Sequence, residues 1–230
     1  MKITYKTNNY LVIDDFLSTN AWDCVQDQLE CESYDQVKLG DDKVYKLNSG
    51  TIYKSHNKYW SSKKPWKNNY QPFLEELLQV LTDKPHFLPN YDDISMMVHA
   101  YQQGSELSWH KDSGVLGAYT FYAHKNWSHL WGGNLMVASE KTQWDDIRVT
   151  EKPLPNTDLK DSFGKLYNAK GISFDHSLEQ KVLQQPGHGE FIMPLPNRLV
   201  LMSNQVFHKV ERIDLAAGHN YRVSLTGFFI

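Results

Sequence analysis

Cysteine is almost missing: Cys24 and Cys31 are the only two among 230 residues. That excludes a small secreted scaffold held by disulfides. The apolar spacing around them predicts one helix. Seven residues along a helix span about 10 Å at ~1.5 Å per residue, and a bridge needs Cα atoms closer than about 7 Å. We read both as buried thiols in a reducing compartment. Long apolar runs are missing too. Nothing approaches the ~18 residues of a membrane span, and the polar stretch Met1 to Tyr10 lacks the apolar region of a signal peptide. A cytoplasmic protein with no membrane partner is expected. Charge of one sign is also absent: 24 Lys and Arg stand against 27 Asp and Glu, for a net −3. Without a long basic run, nothing asks for a nucleic-acid partner. There is no internal repeat and no low-complexity tract.

What is present describes a globular chain: 40% hydrophobic and 22% charged residues, long enough to bury a sizeable core. Tyr10-Leu11-Val12-Ile13 reads as a buried strand. Ser18 or Thr19 can cap a helix carrying Trp22, Val25 and Leu29. Residues 31–70 are polar and aromatic with weak periodicity, read as strands or loops. Pro72 opens a second helix whose stripe is Phe73, Leu74, Leu77, Leu78 and Leu81. Strand candidates then follow at 94–101, 107–110, 118–123, 133–138, 189–193, 198–203 and 222–230, punctuated by Gly, Pro and Asn. Helices first and many short strands after suggest a mainly β double sheet backed by N-terminal helices. Residues 139–188 break the pattern. A polar loop of that length is either functional or a surface elaboration, and both readings stand.

Two His-x-acid pairs occur among ten histidines: His110-Lys111-Asp112 and His188-Gly189-Glu190. Extended side chains alternate, so positions i and i+2 share a face. His110 follows a strand-like run and precedes a loop holding Gly114 and Gly117, where an open site can form. His208, at the end of the strand 199–202, supplies a second imidazole. Two His and one carboxylate cover one face of an octahedral metal and leave the other open, as in non-haem Fe(II) oxygenases. Zinc also fits such a set, although structural zinc favours cysteine-rich shells. Arg222 offers a fixed cation for a dicarboxylate co-substrate. His188-x-Glu190 remains the alternative pair, with Glu190 as a solvated edge residue. The other histidines, His99 and His124 among them, lack a partner at ligand spacing and read as surface or satisfied polar groups. Trp109 and Trp127 read as core, Trp131 and Trp144 as residues of a site mouth.

Several ordered blocks carry a resemblance: Val12-Ile13-Asp14-Asp15-Phe16-Leu17-Ser18; Val98-His99-Ala100-Tyr101, Gly104 and Trp109-His110-Lys111-Asp112; Thr120-Phe121-Tyr122 through Trp127; Trp131-Gly132-Gly133-Asn134-Leu135; Asn197 to Leu201; His208-Lys209-Val210; and Tyr221-Arg222-Val223-Ser224. In these the chain resembles the prolyl-4-hydroxylase-like group of 2-oxoglutarate/Fe(II)-dependent dioxygenases. The resemblance implies a double-stranded β-helix (jelly roll) within a single domain, 1–230, with a helix-rich support at 1–93 and the jelly-roll core at 94–230, interrupted by the insertion at about 139–188. It implies Fe(II) held by His110, Asp112 and His208. It implies 2-oxoglutarate on Arg222 and Tyr122, with Tyr101 and Ser224 assisting, O₂ as oxidant, and stimulation by ascorbate.

The retained Asp112 makes hydroxylation the default, since related halogenases carry a small residue there. The expected substrate is an amino acid, a small metabolite or a peptidyl proline. Desaturation or ring closure by the same cofactors is the alternative, and a non-catalytic jelly-roll binding or sensing module ranks below both. Two departures from the family pattern stand out. The turn from Glu211 to Gly218 is enlarged, and the insertion puts peptidyl-proline specificity in doubt. The sequence sets no oligomeric state.

Overall fold

The apolar run at the N-terminus becomes the buried strand β2 (Tyr10–Asp14), preceded by a strand the sequence pattern does not announce, β1 (Lys2–Lys6). Every β1 residue is exposed, so no alternation marks it. The computed structural model describes residues 1–37, 48–61, 69–83, 91–112, 114–139 and 187–230. In chain order follow α1 (Thr19–Cys31), β3 (Asp35–Gln36), β4 (Asn48–Ser49), β5 (Ile52–Lys54), β6 (Lys58–Ser61), α2 (Gln71–Asp83), β7 (Asp93–Tyr101), β8 (Glu106–His110), β9 (Gly117–Tyr122), β10 (Leu135–Ala138), β11 (Gly189–Ile192), β12 (Leu199–Ser203), β13 (His208–Val210) and β14 (Arg222–Phe229). Most of the insertion at 139–188, Trp144 included, lies outside the described residues.

Two antiparallel sheets form the jelly roll. One has nine strands in the order β1-β2-β12-β9-β14-β7-β5-β3, with β6 also on β7. The other has five, β11-β10-β13-β8-β4. Alternation along the large sheet divides its side chains. Ile94, Met96, Val98, Tyr119, Phe121, Leu199, Leu201 and Leu225 face the helices, where Phe73, Leu74, Leu77 and Leu81 of α2 meet them. Burying each of those α2 side chains contributes roughly 1.5–3 kcal/mol. The intervening residues, among them Tyr122, Val200 and Met202, share a second cluster with Leu135 and Val137 of the small sheet. The site therefore lies between the sheets, and the helices hold the large sheet from behind.

Ser18 caps α1, its hydroxyl accepting from the Ala21 amide. Both cysteines sit on this helix as free thiols, but Cys24 is half-buried and Cys31 exposed. The buried-thiol expectation fails because only one stripe of α1, with Ala21 and Val25 at its centre, meets the sheet. His208 also differs from expectation. It does not end the strand at 199–202; the chain turns after Ser203 and crosses to the small sheet, where His208 opens β13.

Candidate active site

β13 lies between β8 and β10, and His208 is the register partner of both His110 and Val137. Directly opposed residues bring their side chains to within about 5 Å, and the two imidazole centroids are 4.3 Å apart. The register slips between His208 and Val210. Such a bulge re-aims a side chain and ends pairing, and β8 stops at His110, so Asp112 lies beyond the ladder on a free stretch of chain. Asp112 Oδ1 is 3.7 Å from His110 Nε2, and its Oδ2 is 3.7 Å from His208 Nε2. Both contacts are too long for hydrogen bonds. One donor atom from each residue lies within 4.8 Å of the other two.

The Val206 carbonyl, 3.0 Å from His208 Nδ1, can only accept. Nδ1 therefore carries the hydrogen, and Nε2 turns its lone pair toward the shared centre, as outer partners of metal-binding histidines commonly arrange. Imidazole nitrogens beside one carboxylate on a single side of an open centre suit the 2-His-1-carboxylate binding of Fe(II). Among the described residues no other group of His, Cys, Asp and Glu gathers in this way. His188 and Glu190 stay apart from it. Glu190 lies on the edge strand β11 and accepts hydrogen bonds from the Tyr5 and Tyr10 hydroxyls.

Across from the triad, the large sheet presents a row of polar side chains. Arg222 pairs with Tyr101, and Ser224 pairs with His99 on one side and Tyr122 on the other, so all five share the inner face. Arg222 is 1% exposed. Its guanidinium carbon is 4.9 Å from the Tyr122 ring centre and 5.7 Å from that of Tyr101. Its Nε donates to the Gly133 carbonyl at 2.8 Å, and no described carboxylate pairs with it. Arg222 Nη2, the Tyr122 hydroxyl and Ser224 Oγ are buried without a hydrogen-bond partner. Each such atom costs on the order of 1–3 kcal/mol. Three of them, one on a buried cation, are complementary to a carboxylate. Burial pushes the Tyr122 phenol up, and the neighbouring Arg222 charge pulls it part of the way back, so it stands as a neutral donor. The donor set fits 2-oxoglutarate.

Two residues acquire a place here that the sequence reading did not give them. Gly133 has φ +69°, and a Cβ there would lie 3.0 Å from Arg222 Cδ, 3.2 Å from Ile213 Cγ1 and 3.3 Å from Trp127 Cζ2. It both orients Arg222 and leaves room for it. His99 stands two positions before Tyr101, and alternation alone could have found it. Its Nδ1 is 2.7 Å from Thr226 Oγ1, and burial, reinforced by Lys54 and Arg222, holds its ring down at about 4. His124, the next residue of that kind, is buried with its two nitrogens 3.1 Å and 2.7 Å from the Val223 and Pro194 carbonyls. Trp109 stacks on Phe207 at 5.1 Å. Trp127 packs edge-on against Trp131 at 5.2 Å, and both rest on the cluster around Tyr101 and Ile213. Trp131 thus packs where a mouth residue was expected.

Comparison with known proteins agrees with this geometry. The sequence model of the 2OG-Fe(II) oxygenase superfamily matches residues 96–230. Among solved structures, a Pseudomonas putida prolyl-4-hydroxylase superposes with a TM-score of 0.59 at 14% identity, covering 97% of this chain and 93% of that one. A Trichoplax adhaerens prolyl hydroxylase, solved with a hypoxia inducible factor oxygen degradation domain peptide fragment, gives 0.55 at 14% identity, covering 97% and 84%. A Burkholderia pseudomallei oxidoreductase of the 2OG-Fe(II) oxygenase family gives 0.52 at 11%, covering 96% and 84%. At these identities the structures establish a shared fold. No curated protein sequence matches the chain. No helix among the described residues is long and apolar enough to cross a membrane.

Proposed function

Since the chain belongs to the 2OG-Fe(II) oxygenase superfamily, whose cofactors are Fe(II), 2-oxoglutarate and O₂, we propose that this dioxygenase hydroxylates an unactivated C–H bond of an amino acid, a small metabolite or a peptidyl proline. In this reading His110, Asp112 and His208 hold the iron. Arg222 and Tyr122 hold the far carboxylate of 2-oxoglutarate, with Tyr101 and Ser224 beside them. The observation that carries it is the set of buried, unpartnered donors on Arg222, Tyr122 and Ser224, on the sheet facing the one that bears the triad.

When bound, the metal and co-substrate couple loss of CO₂ from 2-oxoglutarate to oxygen transfer: substrate R–H, O₂ and 2-oxoglutarate give R–OH, succinate and CO₂. The chain's own residues supply the geometry. Asp112 adds one negative charge to the ligand set and bridges the two histidines on one side. The Val206 carbonyl fixes the His208 ring. Arg222, kept straight by the Gly133 carbonyl and sandwiched near two tyrosine rings, neutralises a carboxylate that could not be buried alone. Leu135, Val137, Val200 and Met202 keep water from the interior between the sheets.

The test is succinate release from 2-oxoglutarate under O₂ by the Fe(II)-loaded protein, with product mass read in parallel. Gain of one oxygen supports hydroxylation; loss of two hydrogens marks desaturation or ring closure instead. Failure to bind 2-oxoglutarate refutes the reading.

A further inference from the structure

A cavity of about 640 Å³ lies beside the triad, between the β1–β2 hairpin and the ends of β10 and β11. Lys111, Val206 and Phe207 line it. Lys111 separates His110 from Asp112, Phe207 precedes His208, and the Val206 carbonyl orients the His208 ring. The segments bearing all three candidate ligands therefore build one wall of the cavity. The lining also includes Tyr5, Tyr10 and Glu190, the last an exposed residue of the edge strand β11. The Glu190 carboxylate accepts from both phenols. Phenol donors orient a carboxylate without cancelling its charge. The two rings stand 5.6 Å apart, and aromatic faces beside a carboxylate suit an ammonium group. Lys111 supplies the opposite charge. Among the described residues no ion pair joins Lys111 to Glu190, and the partners Glu190 has are the two neutral phenols.

A cavity with one fixed negative pole and one separate positive pole matches a molecule carrying both charges. We propose that this cavity is the substrate site and receives a free α-amino acid, its ammonium on Glu190 beside the Tyr5 and Tyr10 rings and its carboxylate on Lys111. The proposal rests on the oxygenase reading above and selects among the substrates it allows. A peptidyl residue presents neither charge on its backbone and offers no ionic partner to Lys111 or Glu190, so a zwitterion is preferred over it. The side chain of the amino acid then projects along the shared wall toward the triad, and it is the part that is hydroxylated.

The experiment uses the full chain loaded with Fe(II) and 2-oxoglutarate and a panel of free L-amino acids, each beside its N-acetyl and its amide form. At least one free amino acid raises succinate formation above the substrate-free rate and gains one oxygen, and its N-acetyl and amide forms do not. E190Q and K111M each raise KM for that amino acid about tenfold or more. Calorimetry on the Mn(II)- and 2-oxoglutarate-loaded protein shows the same loss of binding, with thermal unfolding and 2-oxoglutarate affinity monitoring the fold. An active amino acid whose KM and affinity ignore both substitutions overturns the assignment, as does turnover of blocked or peptidyl forms alone. If 2-oxoglutarate binds but no panel member reacts, this inference falls and the oxygenase reading stands. If 2-oxoglutarate does not bind, the oxygenase reading itself falls.

Discussion

Replacing Gly133 with alanine separates the positioning of Arg222 from the chemistry of Arg222. At φ +69° an alanine costs about 1–2 kcal/mol in backbone conformation alone. Its Cβ would stand 3.0 Å from Arg222 Cδ, with Ile213 and Trp127 closing the other sides. Carbon atoms in contact prefer about 3.5–4.0 Å. Ile213 and Trp127 are held in a packed cluster, so the arginine stem is what yields. Its movement stretches the 2.8 Å bond from Nε to the Gly133 carbonyl, a charged hydrogen bond of about 1.5–3 kcal/mol. We expect G133A to lose roughly 2–4 kcal/mol of stability, a fall of about 5–15 °C in Tm at ~2–4 °C per kcal/mol. The 2-oxoglutarate Kd should rise about 10- to 100-fold, equivalent to roughly 1.4–2.8 kcal/mol. Gly104 provides the control. Its φ is +81° with nothing within 4 Å of a built Cβ, so G104A carries the same backbone cost and no contact with the pocket. Titration of 2-oxoglutarate into the Mn(II)-loaded variants, beside thermal melts, reads both quantities. If G133A binds 2-oxoglutarate like G104A, Gly133 does not position Arg222 and the reasoning fails.

Three further outcomes are expected. H110A and D112A should each abolish succinate formation while leaving the circular dichroism spectrum intact; wild-type turnover in either sinks the metal assignment. R222A removes a buried cation from the pocket, and its 2-oxoglutarate affinity should fall at least about 100-fold, or roughly 3 kcal/mol; an unchanged Kd refutes the carboxylate site. His124 should make the fold acid-sensitive. Burial holds its ring at about 4 against 6.5 for a free histidine, with the Pro194 and Val223 carbonyls opposing. Above pH 6.5 neither state holds the extra proton. As the pH falls toward 4 the unfolded chain takes it up first, so stability is lost in that window, by at most roughly 3 kcal/mol. Urea unfolding of wild type and H124Q at pH 7.5 and pH 5 measures it, and an equal loss in both proteins counts against the assignment.

Much of this molecule can be read from local pattern. Periodicity places α1 and α2, each of which buries one face, and continuous apolar runs place β2, β9 and β12, which are buried on both. β1 escapes because both of its faces are wet, and β13 because three residues carry no period. The His208 placement shows a second limit. Leu199 to Ser203 and His208 to Val210 are adjacent in sequence, yet they lie in different sheets. A four-residue connection, Asn204 to Phe207, does not reveal that the chain crosses between layers. Tyr122 takes its role only from likeness to a family, whereas the two-residue alternation that joins Tyr101 to His99 lies in the sequence itself.

The candidate site depends on parts that sequence motifs describe unequally. His110-x-Asp112 names ligand types and a shared face, yet β8 ends at His110, and the stretch beyond the ladder decides where Asp112 points. Arg222 names a cation, but its aim is set by a carbonyl eighty-nine residues away in sequence, available only because Gly133 lacks a side chain. Lys111 is unremarkable between two ligands until the fold brings it and Glu190 to the lining of one cavity. Residue chemistry was legible wherever one strand holds it. Where two sheets must meet to make a pocket, the information lies in register, which a single strand does not contain. The substrate question belongs to that second kind, so the two charged poles of the cavity, more than the triad, are where specificity is to be tested.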